Sequence, residues 1–178
     1  MTLEKLTIKA REAVTEAVNS ASSSGNPEVT PLHIVSALLQ NEAGTIPGVL
    51  NRLGVEAGAL QNEIGKALGR QPRSSGGSQP ALSRTALRAL KTAEKASADM
   101  KDDFVASEHI FMGILDTSCE ASEILTKAGI DRQNFLQALS EVRGSSRVTS
   151  ENAEESYEAL KSTRRISPPL PDSRSWIL

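Results

Sequence analysis

Apolar side chains recur at helical spacing along the first part of this chain. Residues 22–27 interrupt the pattern with serine, glycine, asparagine and proline. Thr30 before Pro31 is a favourable helix start, because a threonine hydroxyl can cap the helix and proline fits its first turn. The run 31–39 is apolar on most sides and therefore predicts a buried helix. The first helix is predicted over 3–23, with an apolar stripe of Leu3, Leu6, Ala10, Ala13, Val14, Ala17, Val18 and Ala21.

Two further helices complete this unit. A short helix is expected over 47–53, ended by Gly54 in a left-handed conformation. A last helix is expected through Leu60, Ile64 and Leu68, which are spaced at one helical turn.

The whole pattern then occurs a second time. VTPLHIVSALL at 29–39 and VASEHIFMGIL at 105–115 each hold one of the two histidines of the chain, His33 and His109, 76 positions apart. The second copy becomes one residue shorter after this helix. A fixed offset in similar apolar context indicates duplication. We therefore expect an all-α body of eight helices with pseudo-twofold symmetry, with repeats at about 6–69 and 82–142.

Composition narrows the function. The chain of 178 residues is 38% hydrophobic but 3% aromatic, which favours closely packed aliphatic helices over a β-sandwich. A net charge of −2 with interspersed signs gives no footprint for nucleic acid or an anionic membrane. No apolar run reaches membrane-spanning length. A single cysteine, Cys119, cannot form an internal disulfide and suits a reducing cytoplasm.

Candidate chemistry is sparse. Each histidine lacks nearby ligand partners for a metal, and the preferred interpretation is structural, with each ring bonding an orphan backbone group at a helix start. No phosphate-binding loop occurs, so neither nucleotide hydrolysis nor a cofactor is expected. Asp102, Asp103 and Glu108 cluster at one loop–helix junction, where repeat one has Asn26, Pro27 and Leu32 at the same positions. They are either ordinary solvated charges or part of a partner-binding site.

These repeats resemble the Clp N-terminal repeat domain of Hsp100-type AAA+ unfoldases. Three segments are most similar to its ClpB disaggregase branch: MTLEKLT at 1–7, GGSQP at 76–80 and RGSSRVTSENAEESYEALK at 143–161. The resemblance implies a domain over 1–143 with a flexible linker at 70–81, and a tether at 144–161 toward an AAA+ module. It stops after Lys161, so 162–178 is expected to be a disordered tail or one of artificial origin.

The resemblance also implies a role. The domain is expected to engage unfolded or aggregated polypeptide and pass it to the ATP-driven ring of a hexameric parent that works with a DnaK-type chaperone system; the isolated domain is expected to be monomeric. The implied site is Thr7, Asp102 and Glu108, beside an apolar groove of Leu87, Leu90 and Ile110. An acidic rim would favour segments that mix apolar and basic residues. The alternative is adaptor docking, as in ClpC- or ClpA-type unfoldases.

Overall fold

The computed structural model describes residues 3–41, 44–74, 79–144, 148–151 and 153. This part of the chain contains a 3₁₀ turn at Leu3–Lys5 and two short strands, β1 Glu28–Val29 and β2 Ala81–Leu82. The rest of its regular structure is helical, as expected. The helices are α1 Ile8–Ser23, α2 Pro31–Gln40, α3 Thr45–Arg52, α4 Ala57–Gly69, α5 Arg84–Asp99, α6 Ser107–Leu115, α7 Glu120–Lys127 and α8 Arg132–Arg143.

The helices match in pairs at the offsets expected from the sequence. α1 and α5 are 76 positions apart, and α4 and α8 begin 75 positions apart. The hydroxyls of Thr7 and Ser83 cap these pairs equivalently, accepting the N–H of Ala10 at 3.1 Å and of Ala86 at 3.0 Å. The duplicated all-α architecture is therefore confirmed.

One core joins the two repeats. Most of the buried apolar residues form one continuous cluster that draws on every helix, and nearly all of α2 and α6 is inaccessible to solvent. Phe111 and Phe135 stack within it with ring centroids 4.8 Å apart. The repeats thus fold as one body, because neither would bury α2 or α6 by itself.

The repeats also exchange backbone pairing. Val29 pairs in parallel with Leu82, and Leu6 forms an equivalent parallel bridge with Val105. Positions 6 and 82 correspond at the repeat offset, as do 29 and 105. The segment before each repeat's first helix therefore pairs with the other repeat.

Two backbone details follow from side-chain size. Gly54 has φ of +73°, which confirms its expected left-handed position. Gly113 lets α6 approach α5 closely, since a Cβ there would collide with the Ala89 carbonyl oxygen and lie 2.8 Å from the Ala93 nitrogen. Repeat one has Ala37 at the corresponding position.

The linker between the repeats is held at its first end. Ser74 N–H donates to the Gly25 carbonyl at 2.7 Å, and the Asn26 amide donates to the Pro72 carbonyl at 2.8 Å. Gly76, Gly77 and the expected tail at 162–178 lie outside the described residues. Among the helices that are described, none has the length and apolarity needed to span a membrane.

Candidate functional site

Both histidines cap the helix that carries them. The Nδ1 atom of His33 accepts the Thr30 N–H at 3.0 Å, and that of His109 accepts the Ala106 N–H at 2.8 Å. Because Nδ1 accepts, the proton of each neutral ring lies on Nε2. Each ring thus satisfies one orphan N–H at a helix start, as the sequence analysis expected.

The second ring nitrogen distinguishes the repeats. His33 Nε2 donates to Asn26 Oδ1 at 3.0 Å, whereas His109 Nε2 lies 2.7 Å from Asp102 Oδ2. Asn26 and Asp102 correspond at the repeat offset, so the histidine of repeat one pairs with a neutral amide and the histidine of repeat two pairs with a carboxylate. Burial lowers the pKa of His33, although its hydrogen bond with Thr30 opposes this change.

Asp102 is the centre of a buried ionic group, which we call the Asp102 cluster: Asp102, Glu108, His109, Arg143 and Val148. Asp102 Oδ1 accepts from Arg143 Nη2 at 2.8 Å and from the Val148 N–H at 2.9 Å. Its Oδ2 accepts from His109 Nε2 at 2.7 Å and from Arg143 Nη1 at 3.1 Å. Four donors therefore converge on one carboxylate whose side chain is 0% exposed.

These donors keep Asp102 ionised. Burial by itself raises the pKa of a carboxyl, but the hydrogen bonds from His109, Arg143 and Val148 and the positive charge of Arg143 outweigh it. The pKa of Asp102 is consequently held well below its usual range.

Glu108 belongs to the same cluster. It is 0% exposed, and its Oε2 lies 3.6 Å from Arg143 Nη1. The acidic rim expected from the sequence is therefore wrong for these two carboxylates. Both are buried, because Arg143 reaches back from the end of α8 and offsets their charge.

The duplication provides an internal comparison for this cluster. Where repeat two has Asp102, Glu108 and Arg143, repeat one has Asn26, Leu32 and Leu68. Leu32 and Leu68 pack into the common core. The same helical repeat thus forms once with neutral residues at these three positions and once with charged ones. The charged residues are therefore not required for the packing of the repeat.

Sequence reasoning missed Arg143, although a signal for it exists. Aligning the repeats shows a leucine replaced by glutamate at 108 and another replaced by arginine at 143. Two opposite charges introduced together at apolar positions indicate an ion pair.

The Asp102 cluster holds the segment that follows α8. Val148 is 0% exposed, and its carbonyl accepts the N–H of Asp103 at 2.8 Å. Val148 and Ala153 bury themselves against Ala106, with Phe104 beside them. The sequence predicts a tether over 144–161. Its described residues 148–151 and 153 pack on the body, because Asp102 and these small apolar contacts bind them, whereas 145–147, 152 and 154–161 lie outside the described residues.

Thr7 lies at the same junction. Its N–H donates to the Val105 carbonyl at 3.0 Å, midway in sequence between Asp102 and Glu108. Thr7 is 0% exposed, and the next N–H, of Ile8, donates to the Glu151 carbonyl at 3.0 Å. Arg11 adds an exposed ion pair to Glu151 at 2.6 Å. Thr7 thus bonds the loop that lies between Asp102 and Glu108 in sequence, and the segment 148–151 bonds to Asp102 at one end and to Ile8 at the other.

The three apolar residues named from the sequence differ in exposure. Ile110 is 0% exposed and Leu90 is 6% exposed, so both lie in the core rather than on a groove surface. Leu87 is 54% exposed and is the exposed large hydrophobic residue of the described chain. It lies on α5, one turn after the Ser83 cap.

A groove lies elsewhere on the body, between α4 and α7. It has a volume of about 590 Å³ and a charged rim that includes Glu63, Arg70 and Glu120. None of the site residues predicted from the sequence lines it. The described residues hold no group of three or more His, Cys, Asp or Glu side chains suited to a metal ion.

Comparisons with known proteins converge on one family. Residues 5–128 match the family model described as the Clp repeat (R) N-terminal domain. The chain is 38% identical over 156 residues to the chaperone protein ClpB of Mycobacterium leprae, covering 87% of this chain and 18% of that protein. It is 35% identical over 161 residues to ClpB of Porphyromonas gingivalis, covering 90% of this chain and 18% of that protein. The chain therefore spans about a fifth of the length of these relatives.

Solved structures agree on the fold. The Hsp104 N-terminal domain of Candida albicans superposes with a TM-score of 0.75 at 24% identity, covering 84% of this chain and 99% of that one. The N-domain of ClpV from Vibrio cholerae gives a TM-score of 0.65 at 24% identity, covering 77% and 86%. A ClpV N-domain in complex with a VipB peptide gives 0.63 at 23% identity, covering 78% and 89%.

Proposed function

The chain belongs to the Clp repeat N-terminal domain family, and from this premise we propose that it is the substrate-engaging domain of a ClpB-type disaggregase. It binds exposed apolar segments of unfolded or aggregated polypeptide and passes them to an ATP-driven ring outside this chain. The observation that carries the proposal is the position of Leu87, which is 54% exposed on α5 of an otherwise well-buried aliphatic body. A single exposed apolar side chain gives a weak contact that many different apolar segments can make.

The residues named from the sequence divide into two roles in this proposal. Leu87 contacts the polypeptide, while Leu90 and Ile110 fix α5 and α6 beneath it. Thr7, Asp102 and Glu108 act as positioning residues, because they are buried and hold the junction between the repeats and the following segment. Each contact is shallow, so we expect dissociation constants in the micromolar-to-millimolar range.

The parent protein is part of the proposal. We infer a cytoplasmic homohexameric ATPase that cooperates with a DnaK-type system, with this domain as a monomeric mobile element. The support is the similarity to proteins named ClpB over 87% of the chain.

Adaptor docking is the competing function. It is favoured by the similarity in fold to a ClpV N-domain solved with a VipB peptide. In that case the domain would bind a folded adaptor or a charged degradation tag rather than unfolded chain.

Titration of the ¹⁵N-labelled domain with a denatured protein, and separately with a folded adaptor protein, tests the two functions. Substrate engagement predicts that the denatured protein causes fast-exchange chemical-shift changes around Leu87. The Leu87→Ser variant should bind the denatured protein at least about threefold more weakly. Ala98→Ser, at another exposed position of α5, is the control. Shifts with the folded adaptor alone would favour docking and overturn the proposal.

A further inference from the structure

The outward side of α5 is strongly basic. Arg84, Arg88, Lys91 and Lys95 follow one another at spacings of three or four residues, and Leu87 lies within the same stripe. Residues at i, i+3, i+4, i+7 and i+11 share one face of a helix. We call this surface the α5 outer face.

The fold does not use these cations. All four are exposed, and within the described residues none of them lies in an ion pair. The helix also carries Glu94 on the flank of the stripe and Asp99 at its end, so α5 keeps a charge of +2 on a chain of net −2. The α5 outer face is therefore a positive patch around a half-exposed leucine.

The other repeat shows that this charge is not a requirement of the architecture. α1 has the same length and the same buried stripe, yet its equivalent positions are Ile8, Arg11, Glu12, Thr15 and Asn19. These carry one positive and one negative charge. One of two equivalent helices has thus become basic around an exposed apolar residue.

We infer that the α5 outer face selects polypeptide segments in which an apolar residue is flanked by acidic residues. The inference rests on the proposed function and specifies its substrate. Leu87 supplies the apolar contact, and the surrounding cations attract carboxylates on either side of it. The preference is opposite to the one expected from an acidic rim, because Asp102 and Glu108 are buried against Arg143.

Polypeptide fits this surface better than the other anionic partners. Non-specific binding of single-stranded nucleic acid relies on stacking against aromatic side chains, and the α5 outer face has none. Membrane binding by an amphipathic helix needs a broad apolar face, whereas the large apolar side chain that α5 exposes is Leu87 alone, and its other leucine and most of its alanines are buried in the core.

Three fluorescent peptides test the inference. They share one central leucine-containing sequence and differ in their flanking residues, which are Glu, Gln or Lys. The dissociation constants are measured by anisotropy with the full chain, with Arg88→Glu/Lys91→Glu, and with Lys127→Glu as the control, an exposed lysine at the end of α7. Circular dichroism verifies that each variant is folded.

The unsubstituted chain is expected to bind the Glu peptide about five- to tenfold more tightly than the Gln peptide, and to bind the Lys peptide most weakly. The advantage should shrink as salt rises from 0.05 to 0.5 M, since exposed charges are screened. The double variant should reverse the order of the Glu and Lys peptides, and Lys127→Glu should keep it.

The failures are distinguishable. Equal affinity for the three peptides would overturn the acidic preference and leave substrate engagement standing. A preference for the Glu peptide that survives the double variant would overturn its assignment to α5. Absence of binding by any peptide and by denatured protein would refute the proposed function, and the inference with it.

Discussion

Replacing Asp102 by asparagine tests the buried ionic cluster with the smallest possible change. Asparagine has nearly the same shape and is the residue that repeat one has at this position. It removes the negative charge and turns one acceptor oxygen into an amide donor. Two of the four donors that now point at Asp102 would then face another donor.

The cost follows from these contacts. Hydrogen bonds to charged groups contribute about 1.5–3 kcal/mol each, and removing one partner of a buried ion pair costs about 3–5 kcal/mol. Glu108 remains 3.6 Å from Arg143 and compensates part of the lost charge. We therefore expect Asp102→Asn to lower the free energy of unfolding by about 3–4 kcal/mol, and the melting temperature by about 10 °C.

Urea unfolding followed by circular dichroism measures the loss, with Asp103→Asn as the control. Asp103 is the next residue and is exposed, so its variant changes the net charge equally without touching the cluster. Hydrogen exchange gives a second observable, because the Val148 amide donates to Asp102 and should lose protection in Asp102→Asn. A loss below about 1 kcal/mol, or an equal loss in Asp103→Asn, would refute the reasoning.

Other variants test the remaining structural arguments. The triple variant Asp102→Asn/Glu108→Leu/Arg143→Leu gives repeat two the residues of repeat one. Its free energy of unfolding should be at least about 2 kcal/mol higher than that of Asp102→Asn alone, since neutral replacement of buried ions is often stabilising. A lower free energy of unfolding in the triple variant than in Asp102→Asn would contradict the internal comparison. His33→Gln and His109→Gln should each cost about 1–3 kcal/mol through lost buried hydrogen bonds, measured by urea unfolding. Because the folded pKa of His33 is lowered, its contribution is complete above the unfolded value of about 6.5 and declines as pH falls below it, so the difference between parent and His33→Gln should narrow at pH 5. For Asp102, whose folded pKa is also lowered, the contribution is complete above about pH 4 and is lost as pH falls from there toward the folded value, where the deficit of Asp102→Asn should disappear. Gly113→Ala should destabilise by about 1–3 kcal/mol because its Cβ would meet the backbone of α5, whereas Gly65→Ala, with nothing within 4 Å, should stabilise by about 0.5–1 kcal/mol; equal thermal shifts in the two would contradict the close approach.

Local features were readable from the sequence because their causes are local. The start of α2 at Thr30 and Pro31 follows from a hydroxyl residue before a proline, and the left-handed turn at Gly54 follows from the absence of a Cβ. The duplication was visible because similar residues recur at the same sequence separation along the whole of both repeats. These signals fixed the helical class and the pairing of helices between repeats.

The candidate site was readable in part. Thr7 bonds the loop between Asp102 and Glu108, but the exposure of these three residues could not be derived from their own residue types. Asp102 is buried because Arg143, 41 positions away, and the Val148 backbone cover it and satisfy its oxygens. The same holds for Leu90 and Ile110, whose burial depends on the helices packed against them.

The sequence by itself therefore determined that the body is helical and that it is built twice, although α1 begins at Ile8 rather than at residue 3 and α3 begins at Thr45 rather than at residue 47. Periodicity, caps and turns are properties of neighbouring residues, so one chain is enough to specify them. Tertiary structure decided that the repeats exchange their leading strands, that the residues 148–151 pack on the body, and that the acidic junction is neutralised inside while α5 presents cations outside. These features depend on which distant segments meet, and the free energy of a charge is set by the groups that surround it after folding.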